Sequence, residues 1–342
     1  MALIAPRPLA GSLAMLSVFT LTTGCAVTSH DRRRAELGVA RPSSALLAVI
    51  DQPGPVELTT VVAADWAVER SGLINLDHPR AKAAGLQDGN EPIQVYFHVL
   101  RHPQRGLFAV DAGLERALGD HPDQSHLSAM VRSKMNLEQL HLRTPLGDWL
   151  SSHPAEPLRG VFLTHLHLDH SNGLADLPAG TQLYVGPGEG AERAFLNLFV
   201  QGSIDRALEG KAALQELPFS PDADGRFEGV VDVFGDGSVW ALLVPGHTQG
   251  SIALVVRTPQ GPVLLTGDAC HTRWGWEHDV EPGSFSSDRP RSAESLARLR
   301  RLAAEHPGLE VRLGHQRLPL PQRVANADKG LRLAGERDEP LY

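Results

Sequence analysis

The sequence is poor in the residues that mark several protein classes. Its 342 residues include only two cysteines, Cys25 and Cys270, which excludes a disulfide-stapled scaffold and a closed zinc site built from clustered thiolates. The net charge of -8 leaves no basic excess, so nucleic acid is not an expected partner. No internal repeat is visible, which argues against solenoids and propellers. A single ordinary globular domain is therefore the first expectation.

The composition that remains is typical of a soluble globular protein. Hydrophobic residues make up 42% of the chain and charged residues 21%, and the 16 histidines are numerous. Several histidines stand next to Asp, Gly or Thr at the ends of apolar runs. This placement predicts a metal site and a small-molecule substrate. The sequence does not specify an oligomeric state.

Residues 1–24 are predicted to be a signal peptide of lipoprotein type. Arg7 is followed by an apolar run over residues 9–21, which is too short for a comfortable membrane span. The run ends near Cys25 in a pattern that resembles a bacterial lipoprotein box, although Thr22 stands where leucine is usual. We expect an exported, periplasmic or outer-membrane lipoprotein that touches the membrane only through lipid on Cys25. Plain secretion and an uncleaved anchor are the alternatives.

The rest of the chain divides into three predicted parts. Residues 25–55, which carry scattered prolines and a charge run, read as a tether; residues 56–325 form the domain, and residues 326–342 form a C-terminal tail. Within the domain, short apolar runs predict strands at 93–100, 107–111, 159–164, 182–185, 239–244, 252–257, 263–266 and 309–313. Helical patterns cover 144–152, 189–200 and 291–305, and residues 202–229 read as a long irregular segment. Strands interspersed with helices predict an α/β domain of sheets covered by helices.

Five of the predicted strands end in an aspartate or histidine beside glycine or another ligand-type residue. The segments that follow them are Asp111-Ala112-Gly113, the motif beginning at Thr164, Gly246-His247, Gly267-Asp268 and Gly314-His315. Strand ends that share one sheet edge are where α/β proteins assemble sites from distant parts of the chain. We expect these side chains to meet.

The richest of these segments reads T-H-L-H-L-D-H-S-N-G over residues 164–173. Alternate residues of an extended chain point the same way, so His165, His167 and Asp169 share one side, and a turn brings His170 beside them. Imidazoles and carboxylates suit zinc, iron, manganese or cobalt. The motif therefore predicts an open, catalytic metal site.

The motif H-x-H-x-D-H, followed in order by Gly246-His247, Gly267-Asp268 and Gly314-His315, resembles the metallo-β-lactamase superfamily of hydrolases. The resemblance implies a four-layer αβ/βα sandwich with the site at the edge of two sheets. It implies a first metal ion on His165, His167 and His247, a second on Asp169, His170 and His315, and Asp268 bridging the two. It also implies that Asp111 supports the histidine loop.

Two divalent metal ions in such a site imply hydrolysis by a bridging hydroxide. Adjacent cations lower the pKa of a shared water and polarise the oxygen under attack. Zinc is the first expectation, with iron, manganese or cobalt as alternatives. Asp169 is placed both to bind metal and to pass a proton towards the leaving group.

The substrate is narrowed by two positions. Asp268 stands where true β-lactamases have cysteine or serine, and the segment around Gly235–Ser251 resembles the branch of homoserine lactone lactonases and organophosphate hydrolases. His271 occupies the place of a tyrosine that assists the substrate carbonyl in lactonases, where a histidine would have to donate a hydrogen bond to the oxyanion. A lactone or carboxylic ester is the leading expectation. A phosphotriester or phosphoester is the alternative.

Two further questions stay open in the sequence. Trp274 and Trp276, with Arg273, either form an apolar pocket wall or pack into the core, whereas Cys270 is expected to pack as a small buried residue. Rival functions are a mononuclear-iron oxidoreductase similar to persulfide dioxygenases and a non-catalytic surface binding protein.

Overall fold

A computed structural model describes residues 25–194 and 197–318 of the chain. The predicted signal peptide and C-terminal tail lie outside the described residues. Within the described ranges, none of the helices has the length and apolar character that crossing a bilayer requires.

Strands form two large sheets and one short pair in the described part of the chain. In order they are β1 (Cys25–Ala26), β2 (Arg32–Arg34), β3 (Val39–Ala40), β4 (Glu57–Glu69), β5 (Asn90–His102), β6 (Gly106–Val110), β7 (His141–Leu142), β8 (Leu158–Phe162), β9 (Leu183–Val185), β10 (Arg193–Ala194), β11 (Leu214–Glu216), β12 (Val230–Asp232), β13 (Val239–Leu243), β14 (Ile252–Thr258), β15 (Gly261–Leu265) and β16 (Glu310–Arg312). The first sheet has the order β2-β11-β9-β8-β6-β5-β4-β7, and the second has the order β16-β15-β14-β13-β12-β3. Strand β1 pairs with β10.

Helices cover the outer faces of these sheets. They are α1 (Ser43–Leu47), α2 (Arg70–Leu73), α3 (Pro79–Ala83), α4 (Ala117–Asp120), α5 (Ala129–Arg132), α6 (Leu146–Ser152), α7 (Leu168–Ser171), α8 (Asn197–Leu208), α9 (Arg273–His278) and α10 (Arg289–Glu305). The longest, α10, begins where the Asp288 carboxylate accepts a hydrogen bond from the backbone N–H of Arg291 at 3.1 Å. A proline in its first turn fits because that position needs no N–H donor.

Alternation along the strands produces four layers. In β6, Phe108 and Val110 point into the core between the sheets, where Phe108 stacks on Phe162 of β8 with ring centroids 5.4 Å apart. The alternate residues Leu107 and Ala109 pack on the opposite face against the helical layer. The second sheet likewise packs its outer face against α1 and α10. The predicted αβ/βα sandwich is confirmed.

Several predicted elements differ from those observed. The helix predicted for 189–200 is wrong, because a 3-10 turn at Glu189–Ala191 and strand β10 occupy its first part and helix α8 begins only at Asn197. Residues 202–229 are not wholly irregular, since α8 and β11 extend into them. Strand β4 was not predicted from the sequence because its residues do not alternate cleanly, and its pairing with β5 shifts between Val62 and Ala64.

Residues 25–55 do not form a tether in the structure. Strand β2 adds to the edge of the first sheet beside β11, and β3 adds to the edge of the second beside β12. The side chains of Leu46 and Ile50 are fully buried under the second sheet. This correction has a simple physical reason, because the scattered apolar residues of a polar segment find partners on sheet edges that local composition does not reveal.

Candidate metal centre

The loops that follow strands β6, β8, β13, β15 and β16 converge at one edge of the sandwich. They bring together all seven predicted ligands, in two groups whose ligand atoms lie within 4.8 Å of one another. The groups are His165, His167, His247 and Asp268, and Asp169, His170, Asp268 and His315. Asp268 belongs to both groups, as a bridging carboxylate would.

Three of the imidazole rings are held with one nitrogen turned inward and the other bound outside the site. The Nδ1 atom of His170 donates to Asp111 Oδ2 at 2.8 Å, and that of His315 donates to the Gln94 carbonyl at 3.0 Å. The Nδ1 atom of His247 lies 3.2 Å from the Ser286 hydroxyl. Their Nε2 atoms all approach Asp268 Oδ2, at 3.3–3.4 Å. Such outer partners fix the ring orientation of metal-binding histidines.

Two buried polar atoms of the centre have no hydrogen-bond partner among the described residues. They are His170 Nε2 and Asp268 Oδ1. Buried polar atoms are normally paired, so these two are explained by a ligand that the protein atoms themselves do not supply. Gly314 leaves the necessary room, since a Cβ atom there would lie 2.2 Å from Asp268 Oδ1. The donor set and the unpaired atoms fit a pair of divalent metal ions.

The charged and titratable groups of the centre shift one another's pKa values. Burial, together with neighbouring imidazoles, lowers the pKa of His165 and His247 well below the usual value. Burial has the same effect on His170, but the carboxylates of Asp268 and Asp111 outweigh it and raise its pKa well above the usual value. Burial opposes ionisation of Asp268, yet the surrounding imidazoles hold its pKa well below the usual value. The cluster thus retains positive charge beside its carboxylates, a role that metal ions would take over.

The centre opens to solvent on one side. His165, His170, His247, Asp268 and His315 are all buried, each at most 4% exposed. The Asp169 side chain, in contrast, is 19% exposed, and His167 is also only partly buried. The side of the cluster formed by His167 and Asp169 is therefore the one that faces solvent.

Asp111 supports the histidine loop in the way the resemblance implied. It follows β6 with a φ of 60°, a left-handed conformation that is uncommon for a residue other than glycine. Its carboxylate accepts hydrogen bonds from the backbone N–H of Thr164 at 2.7 Å and from His170 Nδ1. The strained backbone aims the carboxylate at the motif loop, where it holds both ends of the segment from Thr164 to His170.

His271 lies against the centre, but its geometry does not match the donor role expected of it. Its Nδ1 atom is 3.1 Å from the Leu73 carbonyl oxygen, which only accepts hydrogen bonds. The proton of the neutral ring is therefore on Nδ1. The Nε2 atom, 3.1 Å from Asp268 Oδ2, is left with a lone pair and does not donate to an oxyanion unless the ring is charged.

The two tryptophans after His271 pack into the protein body. Trp276 packs against core residues beneath the second sheet, and Trp274 packs against the small cluster around Leu73 and Val280. The Trp274 ring also stacks on His278, with centroids 4.3 Å apart. Arg273 is exposed and pairs with Glu277. The structure favours core packing over a pocket wall for both tryptophans.

Cys270 is buried beside Leu296 and Leu313, as the sequence predicted. Burial raises the pKa of its thiol to about 12, so the thiol stays protonated. Its packing role is confirmed, and it contributes no nucleophile.

Glu189 is a residue of the site that sequence reasoning missed. It is 1% exposed. Its carboxylate accepts hydrogen bonds from both loops that carry the three-histidine group, which consists of His165, His167 and His247. The segment Gly186-Pro187-Gly188-Glu189 follows strand β9. The rule that found the other residues, a strand end followed by glycine and an acidic residue, would have found this one too.

A four-layer αβ/βα sandwich with two ligand groups at one sheet edge defines a class of metal-binding proteins, those with the metallo-β-lactamase fold. The family model described as the metallo-beta-lactamase superfamily matches residues 147–315, which include every predicted ligand. Over these residues, which make up just under half of its length, the chain is similar to this superfamily.

Characterised relatives include lactonases. The chain is similar to N-acyl homoserine lactonase AttM of Azorhizobium caulinodans, with 32% identity over 166 residues that cover 47% of this chain and 59% of that enzyme. It is 33% identical to AttM of Agrobacterium fabrum over 178 residues, which cover 52% of this chain and 63% of that enzyme. The matched part thus spans less than two thirds of either relative.

Solved structures share the fold over a larger part of the chain. A quorum-quenching N-acyl homoserine lactone lactonase superposes with a TM-score of 0.55 and 21% identity, covering 78% of this chain and 93% of that one. The dizinc lactonase AidC superposes with a TM-score of 0.51 and 13% identity, covering 82% and 92%. At these identities the likeness establishes the fold alone.

Proposed function

We propose that the chain is a metal-dependent hydrolase of lactones or carboxylic esters, with two zinc ions in its centre. The observation that carries the proposal is that two ligand groups share Asp268 at one edge of the sandwich, where the cluster is partly exposed to solvent. The similarity to AttM lactonases supports the choice of substrate class. An aspartate at the bridging position argues against β-lactam hydrolysis.

When bound, a pair of divalent ions supplies Lewis acidity that polarises a substrate carbonyl and makes hydroxide available near neutral pH. The chain's own residues would bind these ions and transfer protons. His165, His167 and His247 would hold one ion, Asp169, His170 and His315 would hold the other, and Asp268 would be shared by both. Asp169, at the open side, is placed to pass a proton to the leaving alkoxide.

His271 takes a different role from the one first expected. With its proton committed to the Leu73 carbonyl, we propose that it acts from Nε2 as an acceptor beside Asp268. It thereby orients a proton of the water or substrate next to the bridging carboxylate. His271 then contributes no hydrogen bond to the oxyanion, whose stabilisation would be left to the Lewis acid.

A substrate panel tests the proposed reaction. Zinc-reconstituted protein is assayed with an N-acyl homoserine lactone, an aryl ester, a phosphotriester and a thioester. We expect turnover of the lactone or ester, with about two zinc ions per chain. Turnover of the phosphotriester alone would contradict the proposed substrate class. In protein purified without added metal, one iron per chain together with oxygen uptake would contradict hydrolysis.

We further propose that the chain is exported and carries lipid on Cys25. The support is the apolar run before this cysteine and its similarity to a lipoprotein box. In cells fed a labelled fatty acid, the wild-type protein should take up label and partition with membranes. Cys25→Ser should do neither, and label that persists in this variant would contradict the proposal.

A further inference from the structure

Glu189 joins two loops that are far apart in the sequence. Its Oε1 atom accepts a hydrogen bond from the backbone N–H of Leu166 at 2.7 Å. Its Oε2 atom accepts from the Thr248 hydroxyl at 2.7 Å and from the backbone N–H of Gly250 at 3.0 Å. The carboxylate therefore bridges the loop after β8 and the loop after β13.

These two loops carry the three histidines of one ligand group, and the loop after β8 also carries Asp169 and His170 of the other group. Leu166 lies between His165 and His167, and Thr248 directly follows His247. The inward-facing nitrogens of this group are close together, with His247 Nε2 at 3.1 Å from His165 Nε2 and 2.8 Å from His167 Nδ1. A shift of either loop would open this triangle.

The contact at Glu189 is tight. A Cβ atom on Gly250 would lie 2.7 Å from Glu189 Cβ, and a Cβ atom on Gly186 would lie 2.0 Å from the Gly250 carbonyl oxygen. The two turns thus meet backbone to backbone, with no room for a side chain between them. Because the two turns are in direct backbone contact, a change in the position of Glu189 also moves the His247 loop.

The other ligand group is supported by a different carboxylate. Asp111 bonds His170 Nδ1 and the Thr164 backbone, and His315 is held by the Gln94 carbonyl. Asp111 also bonds the backbone next to His165, but the ligand-type ring that it bonds directly is that of His170, whereas Glu189 bonds residues adjacent to His165, His167 and His247. Asp268 is the group that both sides share.

We infer that Glu189 is a positioning residue for the three-histidine half of the centre, and that its loss weakens metal binding in that half selectively. A glutamine is the same size, but its amide nitrogen cannot accept a hydrogen bond from Gly250 or Leu166. The loop whose N–H faces the amide nitrogen then loses its hydrogen bond, while the other loop keeps its hydrogen bond to the amide oxygen. The inference rests on the proposed metal centre and not on the proposed substrate.

The test is metal titration of the full chain. Metal-free wild type, Glu189→Gln and Asp111→Asn are titrated with zinc against a chromophoric chelator and with cobalt by visible absorption. For Glu189→Gln we expect one of the two binding constants to weaken about tenfold or more, in the range seen when outer partners of metal ligands are removed, while the other holds. Asp111→Asn should weaken the opposite half.

Two reference variants identify the half that is lost. His247→Ala removes a ligand from the three-histidine half, and His315→Ala removes one from the other half. With one equivalent of cobalt, Glu189→Gln should give the spectrum of His247→Ala. A spectrum like that of His315→Ala, equal weakening of both constants, or no change in either would overturn the inference.

Thr248→Val keeps the test valid if Glu189→Gln does not fold. It removes one of the three hydrogen bonds to the carboxylate while keeping the volume of the side chain. We expect a smaller weakening in the same half, and an unchanged constant would count against the inference. A protein that binds two metals as described but hydrolyses nothing would refute the proposed function alone.

Discussion

His98 is a buried histidine outside both ligand groups. It is 8% exposed, and its Nδ1 atom lies 2.7 Å from the Thr60 hydroxyl, which also accepts a hydrogen bond from the Arg312 guanidinium at 2.6 Å. The Thr60 hydroxyl therefore donates its own proton to His98. Burial, reinforced by the charge of Arg312, lowers the pKa of His98 from 6.5 to about 3.

His98 should make the folded state less stable as the pH falls. Below pH 6.5 the unfolded chain binds a proton at this position, whereas the folded chain does not until about pH 3. Stability is therefore lost with falling pH, by up to about 1.4 kcal/mol per pH unit. His98→Asn keeps an acceptor for Thr60 and removes the titration. Its free energy of unfolding should fall about 2 kcal/mol less than that of wild type between pH 6.5 and about pH 5.

Chemical denaturation of the metal-free proteins at the two pH values measures this difference. The ligand histidines also titrate, but they do so in both proteins and cancel in the comparison. Parallel pH profiles for His98→Asn and wild type would show that the His98 side chain is not held neutral.

At the residue scale, the sequence indicated the clustered histidines and aspartates better than the residues that position them. His165, Asp268 and the other predicted ligands are recognisable because they follow apolar strands beside a glycine or another ligand-type residue. Glu189 also follows a strand beside a glycine, but its contacts could not be predicted, because its partners are backbone groups and a hydroxyl 23 to 61 residues away. The donor role predicted for His271 requires a charged ring, because the backbone carbonyl of Leu73 accepts the proton of the neutral ring.

At the scale of elements, the His247 loop and helix α10 meet at Gly246. This residue has a φ of +132°, and a Cβ atom there would lie 2.2 Å from the backbone nitrogen of Ser292 in the first turn of α10. The Gly246 carbonyl also accepts a hydrogen bond from the backbone N–H of Asp288 at 2.9 Å. The helix start thus fixes the position of the loop that carries a metal ligand.

Gly246→Ala should both destabilise the protein and weaken metal binding. The backbone strain costs about 1–3 kcal/mol, and forcing the helix away adds about 1–3 kcal/mol. His247 moves with the loop, so zinc affinity should fall as well. Thermal unfolding and chelator competition report the two effects.

Gly225→Ala is the matched control for that prediction. Gly225 also has a positive φ, +67°, but a Cβ atom there meets nothing within 4 Å. It should show the backbone cost alone, with unchanged zinc affinity. Equal losses in the two alanine variants would mean that α10 does not constrain the His247 loop.

Elements with a strong local pattern were predicted well, and those that depend on distant partners were not. The strand predicted at 107–111 and the helix predicted at 291–305 match β6 and α10 closely. The apolar spacing that identifies each of them involves only residues close together in the sequence. The predicted helix at 189–200 failed because Glu189 and its glycines serve a loop contact instead of a helical face. Strand β4 was missed because a bulge interrupts its alternation of buried and exposed residues.

At the scale of the whole molecule, the segment from Cys25 to Gly54 should be indispensable for folding. It contributes an edge strand to each sheet and buries Leu46 and Ile50 completely. Burial of each of these two side chains contributes about 1.5–3 kcal/mol, a large fraction of a typical domain's stability. A chain that begins at residue 56 should therefore lose cooperative unfolding and zinc binding.

A chain that begins at residue 25 is the control for this deletion. It should unfold cooperatively and bind zinc as the full chain does, because it retains every strand of both sheets. Calorimetry and metal analysis of the two purified proteins make the comparison. Equal melting temperatures for the two would show that residues 25–55 are dispensable after all.

The same segment sets an order for the assembly of the protein. Arg32 pairs with Leu214, and Val39 pairs with Asp232, so residues that are synthesised early can pair only with partners that are synthesised much later. Contacts so distant along the chain form slowly, since the loop between them must first close. The beginning of the domain is thus its last part to be completed, and both sheet edges stay open until then. Any factor that keeps the nascent chain from aggregating must shield these two edges until residues 214–232 have emerged.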